Sequence, residues 1–204
     1  MDKVNTMQRY SRPAIWLHWI VAALLVGNTA LGLYAEAAPD DWVRALIDTH
    51  KSVGITVLGL AVLRLSWRLS HAPPPLPKTY PLWERWTAHA AHWALYAMVF
   101  ALPLTGWAHD SAWKGWEAHP MQWFGLFPWP RIGVIAALPP DLKEQWHDTL
   151  FAAHEAAAWA LYALLAAHIL GALKHQWIDG HAELQRMGVG ASTRKPLGGE
   201  AGEQ

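Results

Sequence analysis

Apolar and polar positions divide the chain into four long apolar blocks joined by polar or proline-rich connections. The first, AIWLHWIVAALLVGNTALGLYA, covers 14–35, and the second, HKSVGITVLGLAVLRLSW, covers 50–67. The third, HAAHWALYAMVFALPLTGWA, covers 89–108. The fourth runs over about 146–177, with an uncharged centre at 156–173 that reaches across a bilayer only together with its histidine-bearing ends. A hydrocarbon core takes about 20 residues of helix to cross, so each block predicts a transmembrane helix. Asp48 or Thr49 is the expected N-cap of the second helix. Pro103 is expected to kink the third without ending it. The first block competes with a signal-peptide reading, because YAEAAP resembles a small-residue cleavage site. Its apolar run is longer than a signal core and carries a histidine, so it is read as a retained helix.

Lys and Arg orient these helices. Eleven lie in or beside the N-terminal tail, the 68–88 connection and the C-terminal tail: Lys3, Arg9, Arg12, Arg64, Arg68, Lys78, Arg85, Lys174, Arg186, Arg194 and Lys195. The other two connections hold five: Arg44, Lys51, Lys114, Arg131 and Lys143. Both termini and the 68–88 loop are therefore expected in the cytoplasm. That loop contains HAPPPLPKTYP, expected as a stiff connector without secondary structure of its own. In the longest outer loop, 109–145, WFGLFPWPRI (123–132) is expected to lie in the interface as an aromatic belt. The end of the chain, 189–204, is expected to be a disordered tail behind a single membrane domain, 8–188.

Composition sharpens this picture. Charged residues make up 16% of the 204-residue chain, far below the roughly 25% of soluble proteins. With no cysteine, disulfides, iron–sulfur clusters and thiolate metal sites are excluded. A formal net charge of zero leaves no nucleic-acid footprint. The chemistry then lies in the histidines, twelve in all.

In the fourth block His154, His168 and His175 are spaced by fourteen and then seven residues, and His147 precedes His154 by seven. Seven residues are within about 20° of two helical turns, so the four share a face. Depth sorts the histidines into two layers. His50 and His154 lie in the outer half; His18, His168 and one of His89 or His92 lie in the inner half. An ionisable group in hydrocarbon normally faces the bundle interior and a partner. Neutral imidazole is a good transition-metal ligand, and two imidazoles from facing helices suit a six-coordinate haem iron. Small residues nearby, Gly27, Gly32, Gly54, Gly59, Ala157, Ala166, Ala167 and Gly171, leave room for a flat macrocycle but equally serve helix packing.

WLHWI, DTHKSVGI, AHAAHWALY and HE…LLAAHILGALKHQWIDG together resemble the bacterial cytochrome b561 family, which groups with the cytochrome b subunits of nickel–iron hydrogenases and formate dehydrogenases. The resemblance covers about residues 8–188. It implies an all-α integral membrane protein, a four-helix bundle of the bacterial inner membrane enclosing two b-type haems. It further implies that His18 and His168 bind the cytoplasmic-side haem and His50 and His154 the periplasmic-side haem. His92 also matches a family histidine. His147 sits in QWHDTL, similar to a context seen around the ligand in some relatives; the fourteen-residue spacing to His168 selects His154 instead.

An iron held by two histidines has no open position for oxygen, which favours one-electron transfer. The resemblance implies ubiquinone or menaquinone as one redox partner. One branch of the family oxidises superoxide at the periplasmic face; for that version, a superoxide:quinone oxidoreductase, Lys51 and Arg44 are the candidates for anion guidance, with Lys114 or Arg131 beside them. Many outer acids, Asp110 among them, oppose a positive funnel. His175, His92, Arg85 and Trp177 are candidates for quinone contact or proton delivery, or else interface markers. Glu155 reads as an ordinary interfacial carboxylate. The alternatives are a membrane anchor for a hydrogenase, dehydrogenase or periplasmic cytochrome, and, from another class, a metal-cation transporter, which the lack of acids over 156–173 disfavours.

Overall fold

The computed structural model describes residues 9–77 and 79–190. Four long helices dominate it: α1 (Arg12–Ala37), α2 (Asp40–Ser70), α3 (Leu82–Ala112) and α5 (Pro140–Leu173). A π-helical turn (Lys174–Ile178) extends α5, and the one-turn helices α4 (Gly133–Ala136) and α6 (Glu183–Arg186) lie outside the long helices. The closest packing is α3 against α5, then α1 against α2, then α2 against α3. Backbones of α1 and α5 scarcely meet, so the bundle is two helix pairs with an interior between them.

α1, α2 and α5 with its π turn are long and apolar enough to cross a membrane. α3 is as long as α2 but richer in His, Trp and Tyr. Large apolar side chains such as Trp16, Val26, Trp159 and Leu170 are exposed on the outer surface. Lipid, not water, is the solvent that suits such a face.

All four helices extend beyond their apolar blocks. α2 begins at Asp40, ten residues before His50, with Pro39 at its N-cap. Asp40 and Asp41 in its first turn oppose the positive end of the helix dipole. The expected caps are mid-helix instead: Thr49 Oγ1 donates to the Ala45 carbonyl at 2.7 Å. Pro103 lies inside α3, which continues to Ala112. The proline-rich loop shrinks to 71–81. The aromatic segment of the longest connection is a hairpin, β1 (Gln122–Trp123) antiparallel to β2 (Phe127–Pro128). Phe124 and Gly125, with φ of 49° and 70°, make its turn. Ser52 of α2 pins it: its hydroxyl proton is shared between the Asp48 and Gln122 carbonyls at 2.8 and 3.1 Å, and its oxygen accepts from the Phe124 N–H at 3.0 Å. The expected tail lies outside the described residues from 191 onward, as do Lys3, Lys78, Arg194 and Lys195.

The buried apolar core gathers at mid-height. Val21, Val57, Ala61 and Val99 form it, with Leu24, Leu25, Val53, Leu60 and Phe100 packed around them. Leu161 of α5 is also fully buried.

Candidate functional site

One spacing recurs on every long helix. His18 and Gly32 on α1, His50 and Arg64 on α2, His92 and Gly106 on α3, and His154 and His168 on α5 are each fourteen residues apart. Fourteen residues are close to four turns and rise about 21 Å, so each helix presents two positions on one face at two heights. Because the helices run alternately, the eight positions form two layers. The upper layer, toward the hairpin, holds Gly32, His50, Gly106 and His154; the lower holds His18, Arg64, His92 and His168. Midway, seven residues from each layer, stand Leu25, Val57, Val99 and Leu161.

In the upper layer the imidazoles of His50 and His154 face each other, centroids 6.1 Å apart and planes at 77°. His50 Nδ1 is 2.9 Å from the Asn28 carbonyl. His154 Nδ1 is 3.0 Å from the Leu102 carbonyl and 3.1 Å from Thr105 Oγ1. A carbonyl only accepts, so each Nδ1 carries the proton and each Nε2 keeps its lone pair, the arrangement that orients a metal-binding imidazole. Glycine leaves room beside both rings. A Cβ on Gly32 would stand 3.2 Å from His50 Cε1, and one on Gly106 3.3 Å from His154 Cε1.

The lower layer is more crowded. His168 faces His18 at 6.4 Å and His92 at 5.4 Å between centroids. His92 Nδ1 donates to the Ala88 carbonyl at 2.6 Å. His18 differs: Arg64 Nη2 lies 3.0 Å from its Nδ1. Arg64 also sits 5.1 Å over the Tyr96 ring, and Arg68 5.6 Å over both Tyr96 and Trp93.

A metal lies about 2 Å from a bound imidazole nitrogen, and the ring centre about 1 Å further, so two rings clamping one ion have centroids about 6 Å apart. The His50–His154 and His18–His168 pairs, at 6.1 and 6.4 Å, match that span. Free Nε2 atoms on the upper pair, with glycines that let both rings sit close to the neighbouring helices, fit the donor set of a haem iron.

His147 is elsewhere. Its ring lies 4.0 Å from that of His109, at the wall of a cavity of about 550 Å³ near the upper layer. Lys51 and Arg44 line the same cavity. Lys51 is ion-paired to buried Asp110 at 2.6 Å, and Arg44 lies 5.3 Å over the Trp113 ring. Lys114 pairs instead with exposed Glu144, and Arg131 donates to the Ser111 carbonyl.

Below the lower layer, His175 Nδ1 is 2.7 Å from Asp179 Oδ2, and Lys174 Nζ bridges Glu84 and Asp179 at 2.7 and 2.9 Å. Glu84, His175 and Asp179 are close enough to share a metal, but the Lys174 ammonium already bonds both carboxylates. Lys174, with His175 adding to it, holds the Asp179 carboxyl below the usual carboxylate range. Tyr80 stacks on His175 at 4.4 Å. Burial, then its hydrogen bond to Glu183, raises the Tyr80 phenol above its ordinary value. Trp177 and His89 are exposed; Arg85 forms no ion pair among the described residues.

Gly106, Arg64 and His109 are the site residues that hydropathy and histidine spacing on α5 alone do not single out. Extending the fourteen-residue step to the other helices finds the first two. His109 carries no such signal.

A family model described as prokaryotic cytochrome b561 matches residues 9–190. Cytochrome b561 homolog 2 of Escherichia coli (strain K12) is 33% identical over 190 residues, covering 92% of this chain and 95% of the relative. A probable superoxide oxidase CybB of Yersinia pestis is 28% identical, with 88% and 96% covered. Cytochrome b561 homolog 1 of E. coli is 29% identical, with 89% and 97% covered.

Proposed function

Because this chain belongs to the prokaryotic cytochrome b561 family, and is thereby a haem-binding membrane protein of electron transport, we propose that it carries two b-type haems and passes single electrons through the bilayer to the quinone pool. α1, α2, α3 and α5 are its four transmembrane helices, spanning the bacterial inner membrane with both termini in the cytoplasm. The upper layer is then periplasmic and the lower cytoplasmic. His50 and His154 hold the outer haem, and His18 and His168 the inner one. The observation that carries this reading is the pair of facing imidazoles at each of two heights, 6.1 and 6.4 Å between centroids. Bound haem supplies a reversible one-electron couple without an open coordination position. The chain's own part is placement and tuning. The Asn28 and Leu102 carbonyls fix the tautomers and ring planes of His50 and His154. The aliphatic mid-layer sets a low dielectric between the two centres. The family's quinone or redox partner is assigned to the lower end, where His175 meets the Glu84 and Asp179 carboxylates.

The test is the haem content and reduced spectrum of the purified chain. Two haems per chain with a low-spin b-type spectrum are expected; a colourless protein would sink the reading.

Superoxide is the donor favoured by a specific observation, the cavity beside the upper layer that holds Arg44 and Lys51. The name of the Yersinia relative points the same way. Asp110 neutralises Lys51, so the guidance falls on Arg44. Superoxide added to the oxidised, quinone-loaded protein should reduce the haems; no reduction removes this donor and leaves the carrier or anchor role.

A further inference from the structure

In the lower layer α2 contributes an arginine where the other three helices contribute histidines. Arg64 is half-buried among His18, His92 and His168, and no Asp or Glu pairs with it among the described residues. A guanidinium is always charged and only donates hydrogen bonds. Inside a bilayer such a group is retained where it has a partner. Tyr96 offers its ring face, and His18 Nδ1 accepts from Arg64 at 3.0 Å.

That last bond does not survive metal ligation by His18. If Nδ1 bound the metal its lone pair would be used; if Nε2 bound it, Nδ1 would carry the proton. Either way Nδ1 accepts nothing from Arg64. Holding a haem in the lower layer would therefore free the arginine's donors beside the residues that would bind it. We propose that Arg64 binds a propionate carboxylate of the lower haem, and that this charge pair replaces its bond to His18 in the holoprotein. The inference rests on the two-haem reading and adds a residue that touches the cofactor without touching its iron. It also assigns the two layers different anchoring: the upper layer has no lysine or arginine among its four positions.

The test compares Arg64→Gln and Arg64→Lys with the unmutated full-length protein, by haem content and by optical redox titration between pH 6 and 8. A charge-assisted hydrogen bond is worth about tenfold or more in retention. Arg64→Gln should lose the lower haem at least that much more readily. Where haem is retained, its midpoint should fall, because a cation that favours the reduced state is gone. The midpoint should also become more pH-dependent as the unpaired carboxylate takes up a proton on reduction. Arg64→Lys should restore retention and most of the midpoint. Gln and Lys behaving alike, or both matching the unmutated protein, would overturn the inference. Reconstitution with haem dimethyl ester, whose carboxylates are blocked, should erase the difference in haem retention between Arg64→Gln and the unmutated protein. A difference that persists assigns Arg64 to another oxyanion, such as a lipid phosphate, and overturns the inference too. Fewer than two haems in the unmutated chain would fail the two-haem reading itself, independently of any Arg64 variant.

Discussion

The two layers are built on the same frame and filled differently. Above, two histidines stand against two glycines, and each imidazole is fixed by a backbone carbonyl. Below, three histidines crowd an arginine, and one of them takes its hydrogen bond from that arginine. The upper pair has one partner choice and one tautomer. The lower layer has a spare imidazole and a charge. Helix geometry thus supplies the positions, and the side chains decide whether a layer is rigid or adaptable.

The largest expected effect exploits that asymmetry. His50→Ala or His154→Ala should remove the outer haem entirely, halving the haem content, because among the described residues no third imidazole packs against either ring, His109 packing on His147 instead. His147→Ala should leave both haems, since its neighbour is His109. His18→Ala should keep part of the inner haem, with His92, 5.4 Å from His168, substituting. Equal losses at both layers, read by haem content and low-spin spectrum, would refute the difference.

Next comes the wall of the upper cavity. Asp110 is 3% exposed beside Lys51 at 2.6 Å. Lys51→Met leaves that carboxylate buried without its ion, a change that costs about 3–5 kcal/mol. Lys114→Met breaks an exposed pair with Glu144 and should cost at most about 1 kcal/mol. Thermal unfolding in detergent, with haem loss followed at the same time, ranks the two.

The glycines give a smaller effect of the same kind. Gly106→Ala places a methyl 3.3 Å from the His154 ring, and Gly32→Ala one 3.2 Å from His50. Overpacking costs about 1–3 kcal/mol. Lower outer-haem occupancy is expected from both, while Gly27→Ala, with nothing within 4 Å, should change nothing.

The smallest effect lies at the lower mouth. The Asp179 carboxyl titrates below its ordinary value because Lys174 and His175 bond its charged form. A depressed carboxyl contributes stability above its unfolded pKa and loses it as pH falls through the folded one. Hydrogen exchange over 174–190 should therefore quicken only on acidification below the ordinary carboxylate range. Asp179→Asn should remove that dependence.

Much of this was legible in the sequence. The fourteen-residue step from His154 to His168 specifies two depths, and apolar runs mark four blocks, because bilayer thickness imposes a length on composition. Helix ends were not legible. Asp40–Thr49 is polar enough to read as loop, yet it is helix, stabilised by acids at the dipole's positive end. Nor was the hairpin: WFGLFPW lacks strand alternation, and its turn depends on two positive φ values and on Ser52, seventy residues before Gln122 in the chain. Gly32 stands out only as one small residue among many, and Arg64 only as one cytoplasmic charge among eleven. What distinguishes them is the neighbour across the bundle, and a neighbour is a property of packing.

The aliphatic mid-layer has a consequence of its own. Leu25, Val57, Val99 and Leu161 offer no hydrogen-bond donor or acceptor, and water has no foothold among them. An electron can tunnel through such a layer, but a proton, which moves by hopping along hydrogen bonds, cannot follow it. Under the proposed function, charge crossing here would therefore be uncompensated on the spot. An electron passed from the upper layer to the lower would leave its proton behind on the upper side of this aliphatic layer, and the membrane would be charged by the traffic.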